Sequence, residues 1–332
     1  MNICAALLLA TAAHGQDPRY QQHAGRYGGN AGICLFEDGK FMLYGYATAV
    51  FGQYLFEKDY LLFYPDQPPL FTVYAHKNPA APGSTRINFV SFQQGNTAVQ
   101  LDQAAAIRVF NEGANCFDGP FVHQQPGLVR TFSLIAESAV AWQYQNEKGY
   151  NDFVFIYNQR KREYENFSAR LEVSNNGKVL KTDMGSFELA RPDEDGQRQW
   201  QEAQQWKDQY FASATQQPEV VYANKHYNSF APDLSKYKYD SASAQYISLD
   251  ANENEAYFRQ NQYNDNRYLR LYEKWEPRLQ SKLDALPVAA GSIFFTVCGE
   301  GSEKSYHYNG FVKYEAADKN PLPTTTVPNI EK

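Results

Sequence analysis

Residues 31–64 read AGICLFEDGKFMLYGYATAVFGQYLFEKDYLLFY, and they decide the fold class. Four apolar-rich runs, at 33–37, 40–46, 52–56 and 60–64, are separated by short turns. Asp38-Gly39 lies between the first two. Asp-Gly between apolar runs is a strong hairpin signal, because a type I′ turn needs φ > 0 at both central positions. Glu57-Lys58-Asp59 makes a polar turn into the fourth run. The stretch therefore reads as an antiparallel meander.

A cadence surrounds it: Gly25-x-Tyr27, Asp38-Gly39-x-Phe41, Gly52-x-Tyr54 and Asp59-x-Leu61-x-Phe63. On these residues the stretch 25–64 resembles the opening meander of lipocalin-like β-domains of exported bacterial proteins, those of Bacteroidetes included. The likeness lies in turn grammar. It implies a meander and carries over no functional residue.

Working outward, the prolines of 65–69 interrupt the ladder, since proline cannot donate to it. Further strands are expected at 70–76, 86–92, 97–101 and 107–110. Short strands at this spacing argue for a barrel or sandwich rather than a βαβ layout. A first antiparallel β domain is thus expected over 31–111, preceded by a flexible lead-in at 17–30. Residues 111–127 read as a long loop between two halves, and long loops in compact domains tend to be functional or tied down. Strands resume from 128, with Asn176-Gly177 as a second hairpin turn, and a β-rich second domain is expected over 128–316. It carries one amphipathic helix at about 193–214, with an acidic first turn and Trp200, Ala203, Trp206 and Tyr210 at helical spacing. That aromatic face should lie across a sheet. Residues 267–275 alternate as a strand, Leu279, Leu283 and Leu286 suggest helical turns, and 317–332 read as a disordered tail. The fold class is mainly β: an antiparallel barrel- or sandwich-like N-terminal domain and a β-rich second domain with one helix.

The 332-residue chain carries 31 basic and 37 acidic residues, which argues against a nucleic-acid footprint. Its 25 Tyr and 22 Phe suit half-wet strands. Residues 1–16 read as a secretory signal, with an apolar run from Ile3 to Ala13 and small residues after it. The expected address is secreted, periplasmic or cell-envelope. No later apolar run approaches the length of a membrane helix, so no membrane span is expected. Asp240-Ser241-Ala242 resembles the O-glycosylation sequon of the Bacteroidetes envelope, and Asn166-Phe167-Ser168 fits an N-glycan sequon.

Chemistry is sparse. His23, His76, His123, His226 and His307 show no HxH, HxxxH or HExxH spacing, so no metal or other cofactor is indicated. The Asp250-x-Asn252-x-Asn254 run lacks the Gly and the closing Glu of a calcium loop. Cys116 with Cys298 is the preferred disulfide, leaving Cys34 as a buried strand thiol. Ligand-binding candidates are Asp118 and His123 in the long loop, and Tyr222, Tyr227, Tyr237 and Tyr239 in a Tyr-rich segment after Pro218. Aromatic rows stack on sugars or peptides and anchor partners. The expected function is an exported, non-catalytic binding or accessory protein of the envelope, for a glycan, a peptide or an envelope component. A secreted hydrolase and a structural envelope protein are the alternatives.

Overall fold

A computed structural model describes residues 17–46, 48–94, 96–111, 119–136, 140–174, 177–191, 193–214, 218–282, 291–296 and 306–308. In chain order the elements begin with α1 (Pro18–His23), β1 (Gly25–Gly28), β2 (Gly32–Leu35), β3 (Lys40–Gly45), β4 (Thr48–Glu57) and β5 (Tyr60–Pro65). Next come β6 (Phe71–His76), β7 (Ser84–Val90), β8 (Ala98–Leu101), β9 (Ile107–Phe110), β10 (Phe121–Pro126), β11 (Thr131–Ile135), β12 (Val140–Gln145) and β13 (Asp152–Tyr157). The chain continues through β14 (Phe167–Ser174), β15 (Gly177–Thr182), β16 (Gly185–Glu188), α2 (Glu194–Ala214), β17 (Val220–Ala223) and β18 (Ser229–Phe230). It ends with β19 (Tyr237–Asp240), β20 (Gln245–Ser248), α3 (Glu255–Gln260), β21 (Tyr268–Trp275), β22 (Leu279–Lys282), β23 (Ser292–Thr296) and β24 (Tyr306–Tyr308). The protein is mainly β, as the sequence leads one to expect.

By its contacts the chain forms two interleaved units, 1–68 with 160–217 and 69–159 with 218–332. A linear split near residue 111 does not describe this. The first sheet runs β1-β2-β3-β4-β5-β14-β15-β16, so β5 pairs with a strand that begins a hundred or so residues later. A bridge between Tyr27 and Leu189, together with Ala190 N–H donating to the Arg26 carbonyl at 2.8 Å, brings the last strand back beside the first. The result is a nearly closed antiparallel barrel.

Both faces of its opening strands are covered, which is why Ile33-Cys34-Leu35-Phe36 is apolar throughout rather than alternating. Ile33, Leu35, Phe41, Tyr54 and Phe63 fill the interior, where Phe63 stacks on Phe167 at 4.4 Å. Cys34, Phe36, Met42 and Phe51 point outward beneath α2. Trp200 stacks on Phe36 at 5.3 Å and Tyr210 on Phe51 at 4.3 Å. Each such buried ring is worth roughly 1.5–3 kcal/mol. Asp193 starts the helix, its carboxylate accepting from Gly196 N–H at 2.8 Å. The expected helix is therefore present, but it covers the barrel rather than belonging to the second unit.

Local corrections have local causes. The lead-in is ordered: Asp17 caps α1 by accepting from Arg19 N–H at 2.9 Å, and Tyr20 packs on Tyr54 at 5.2 Å. At the first hairpin only Gly39 has positive φ (74°), and Phe36 and Lys40 close the turn. That is the three-residue loop with a left-handed glycine, not a two-residue type I′ turn. Gly52, on the inward face of β4, has no room for a side chain. A Cβ there would lie 2.3 Å from the Tyr64 carbonyl oxygen and 2.7 Å from Phe41. Gly52→Ala is expected to cost about 1–3 kcal/mol, read as a fall in thermal midpoint relative to Gly29→Ala, where a Cβ meets nothing.

The second unit is a two-sheet sandwich. One nine-stranded sheet runs β10-β7-β13-β6-β21-β17-β18, with the β19–β20 hairpin joined to β21 through β20. The other runs β22-β12-β11-β8-β9-β23-β24. Phe71, Phe89, Phe155 and, from the second sheet, Phe132, Trp142 and Phe294 build the core between them. Phe132 stacks on both Tyr144 and Phe155 at 4.7 Å. Two pairings, β7 with β13 and β9 with β23, are parallel, so the sheets are not purely antiparallel. Residues 121–126, expected as loop, form β10 against β7 because Phe121 enters the core opposite Phe89. Leu279 begins a strand beside β12 rather than a helical turn.

Candidate functional site

The tyrosines after Pro218 sort by strand alternation. In β21, Leu269 and Leu271 point to one face while Tyr268, Arg270 and Tyr272 point to the other. Tyr222 on β17 lies opposite Leu271, Tyr246 on β20 lies opposite Leu269, and Tyr239 on β19 lies opposite Tyr246. Tyr222, Tyr246 and Tyr239 therefore share a face and form a row across four strands. Tyr222 meets Tyr246 edge-on at 5.4 Å, and Tyr246 meets Tyr239 at 5.1 Å. Tyr237, two residues before Tyr239, shares that face and donates to the Asn266 carbonyl at 3.0 Å. Tyr239 is 52% exposed, so the end of the row presents a ring face to solvent. Partial burial and the adjacent Tyr246 phenol hold the Tyr222 phenol above its usual range.

The reverse face of the same strands is ionic and buried. Asp152 on β13 is fully buried and accepts from Arg270 at 3.0 Å, Asn78 at 3.2 Å and the Tyr227 hydroxyl at 2.9 Å. Burial pushes the Asp152 carboxyl up, but the Arg270 and Arg86 guanidinium charges outweigh it and hold the group below the usual carboxylate range. His76, the β6 partner of Asp152, places Nδ1 3.0 Å from the Leu271 carbonyl and keeps a buried Nε2. Burial, more than any neighbour, lowers its pKa. This is the closest approach to a catalytic pairing, yet both Asp152 oxygens are engaged and His76 and Asp152 are both buried. Its evident work is to pin β21 and the turn after β17 onto the sheet.

Of the residues singled out from sequence, Tyr222, Tyr237 and Tyr239 come together. Tyr227 does not. It takes φ 62° in the turn after β17 and points to the reverse face, onto Asp152. His123 is half-buried on β10 opposite Ile87, in a strand rather than a loop, and burial lowers it to about 4. Asp118, Cys116 and Cys298 lie outside the described residues. Cys34 is a free thiol beneath α2, pushed up to about 12 by burial, and so is unreactive. Asp240 accepts from Ser243 N–H at 3.0 Å, so the Asp240-Ser241-Ala242 motif forms the tip of the β19–β20 hairpin. Among the described residues, no group of His, Cys, Asp and Glu converges as a metal site. No described helix is long and apolar enough to cross a membrane.

The sequence places Tyr246 in the Tyr-rich segment without singling it out for the row, and gives Asp152, Arg86 and Arg270 no role. A signal was present: in Arg86-Ile87-Asn88-Phe89 and Asp152-Phe153 polar residues alternate with core residues, marking a second face that must be covered. The comparisons add no relative: no family model, curated protein or solved structure matches this chain.

Proposed function

We propose that the protein is an exported, non-catalytic binding protein of the cell envelope that takes a glycan on the Tyr222–Tyr246–Tyr239 row. The observation that carries this reading is the row itself, three rings on one sheet face with the outermost half in water. A tyrosine ring laid on the C–H face of a sugar removes apolar area from water, worth roughly 25 cal/mol per Å². The engaged, enclosed state of the Asp152 cluster favours binding over hydrolysis. The apolar run at residues 3–13 supports export. The likeness of the meander to lipocalin-like domains is, on this reading, one of scaffold, because the barrel interior is occupied by its own side chains.

A glycan array probed with residues 17–332 tests the proposal. Binding is expected, and Tyr239→Ala and Tyr246→Ala should each weaken it about tenfold, or 1.4 kcal/mol. No binding on the array, or binding indifferent to both substitutions, would overturn it. Binding on a matched peptide array alone would make the ligand a peptide.

A further inference from the structure

The barrel carries a concavity of its own, remote in sequence from the tyrosine row. α2 covers the outward face of the opening strands, and over β5, β14 and β15 the described residues leave a groove of about 670 Å³ on that face. Register sets its floor. Tyr60 lies opposite Arg170, and Leu62 opposite Ser168. Arg170 in turn lies opposite Lys181 on β15. Tyr60 and Tyr64 are 51% and 41% exposed, four residues apart on β5, or roughly 13 Å.

The charges are unbalanced. Like charges directly across two strands repel, and Arg170 faces Lys181. Lys181 is bridged to Glu172 at 2.8 Å, and Asp183, at the rim, to Arg162 at 2.6 Å. Arg170 has no ion pair within 4 Å among the described residues, though its charge acts on Glu172, so at this groove three basic groups, Arg162, Arg170 and Lys181, stand against two acidic ones, Glu172 and Asp183. In a chain of net charge −6, the groove thus presents a cation beside Tyr60, at one end of the line that runs over Leu62 to Tyr64. An anion seated between Arg170 and Lys181 turns their repulsion into attraction. Two rings spaced along a strand suit an extended polymer better than a compact metabolite.

We propose that this groove binds an acidic polysaccharide, a uronate carboxylate lying between Arg170 and Lys181 and sugar rings against Tyr60 and Tyr64. The site stands independently of the tyrosine row.

The test is calorimetric titration of the full chain with polygalacturonate oligomers, with their methyl esters and polyglutamate as controls. Polygalacturonate should bind, more weakly at high salt. Arg170→Ala and Tyr60→Ala should each weaken it about tenfold or more, since a charge-assisted hydrogen bond contributes about 1.5–3 kcal/mol, a factor of ten or more. Tyr239→Ala should leave it unchanged, and thermal midpoints should show all three variants folded. The proposal is overturned if polygalacturonate does not bind, if the methyl ester binds as well, or if neither groove substitution matters. Equal binding of polyglutamate would also overturn it, in favour of an acidic peptide. Loss on Tyr239→Ala alone would place the ligand on the other unit.

Discussion

Asp152→Asn is expected to remove about 3–5 kcal/mol from the stability of the unit built from 69–159 and 218–332, because it leaves a buried guanidinium without its carboxylate. Arg270 and Asp152 are 7% and 0% exposed at the side chain, so water cannot take the place of the lost partner. The amide can still accept from Tyr227, which keeps the geometry but not the charge balance. Replacing both members, Asp152→Asn with Arg270→Met, should recover part of the loss, since it removes one orphaned charge while that of the buried Arg86 remains. Urea denaturation reads it directly. Trp142 and Trp275 report on this unit and Trp200 and Trp206 on the other, so Trp→Phe pairs separate the two transitions. Only the first should move. A shift below about 1 kcal/mol would mean that Asp152 does not anchor β21 as described.

Acid should destabilise the same unit well before its carboxylates titrate. His123 is held neutral in the folded state, its pKa lowered to about 4 by burial, against about 6.5 in an unfolded chain. The unfolded state therefore binds the proton first. Stability is full above pH 6.5 and falls as the pH drops towards 4, by up to about 3 kcal/mol for this one group. His76, lowered mainly by burial, acts in the same direction and in the same unit. His23, also lowered chiefly by burial, is the corresponding group of the barrel unit. The expected result is a steep loss of urea midpoint between pH 6.5 and 4 in the sandwich unit and a shallower one in the barrel. His123→Gln should flatten the first. A midpoint independent of pH across that window, or an unaltered slope in the variant, would contradict the burial of this ring.

What could be read from sequence was local. Asp38-Gly39, the alternating aromatics of 52–64 and the spacing of Trp200, Ala203 and Tyr210 each encode an element within one or two turns, and the meander and α2 follow. What could not be read was pairing at a distance. Nothing in Leu62 or Ser168 announces the other, and the sheet between them closes only in three dimensions. β10 escaped notice because Val122-His123-Gln124-Gln125 has no apolar alternation; its place is set by its ladder to β7 and by Phe121 in the core. The tyrosine row was visible as composition, but which rings share a face depends on register. Tyr222 and Tyr227 are five residues apart and end on opposite sides of the sheet.

The pairing of β5 with β14 bears on synthesis. At about 5–20 residues per second, the hundred or so residues between these strands take roughly 5–20 s to emerge. For that interval β5 has completed its ladder to β4 and offers the opposite edge, with Tyr60, Leu62 and Tyr64 beside it, to any neighbouring chain. The nascent protein thus passes through a stage, set by its topology alone, in which it depends on being shielded.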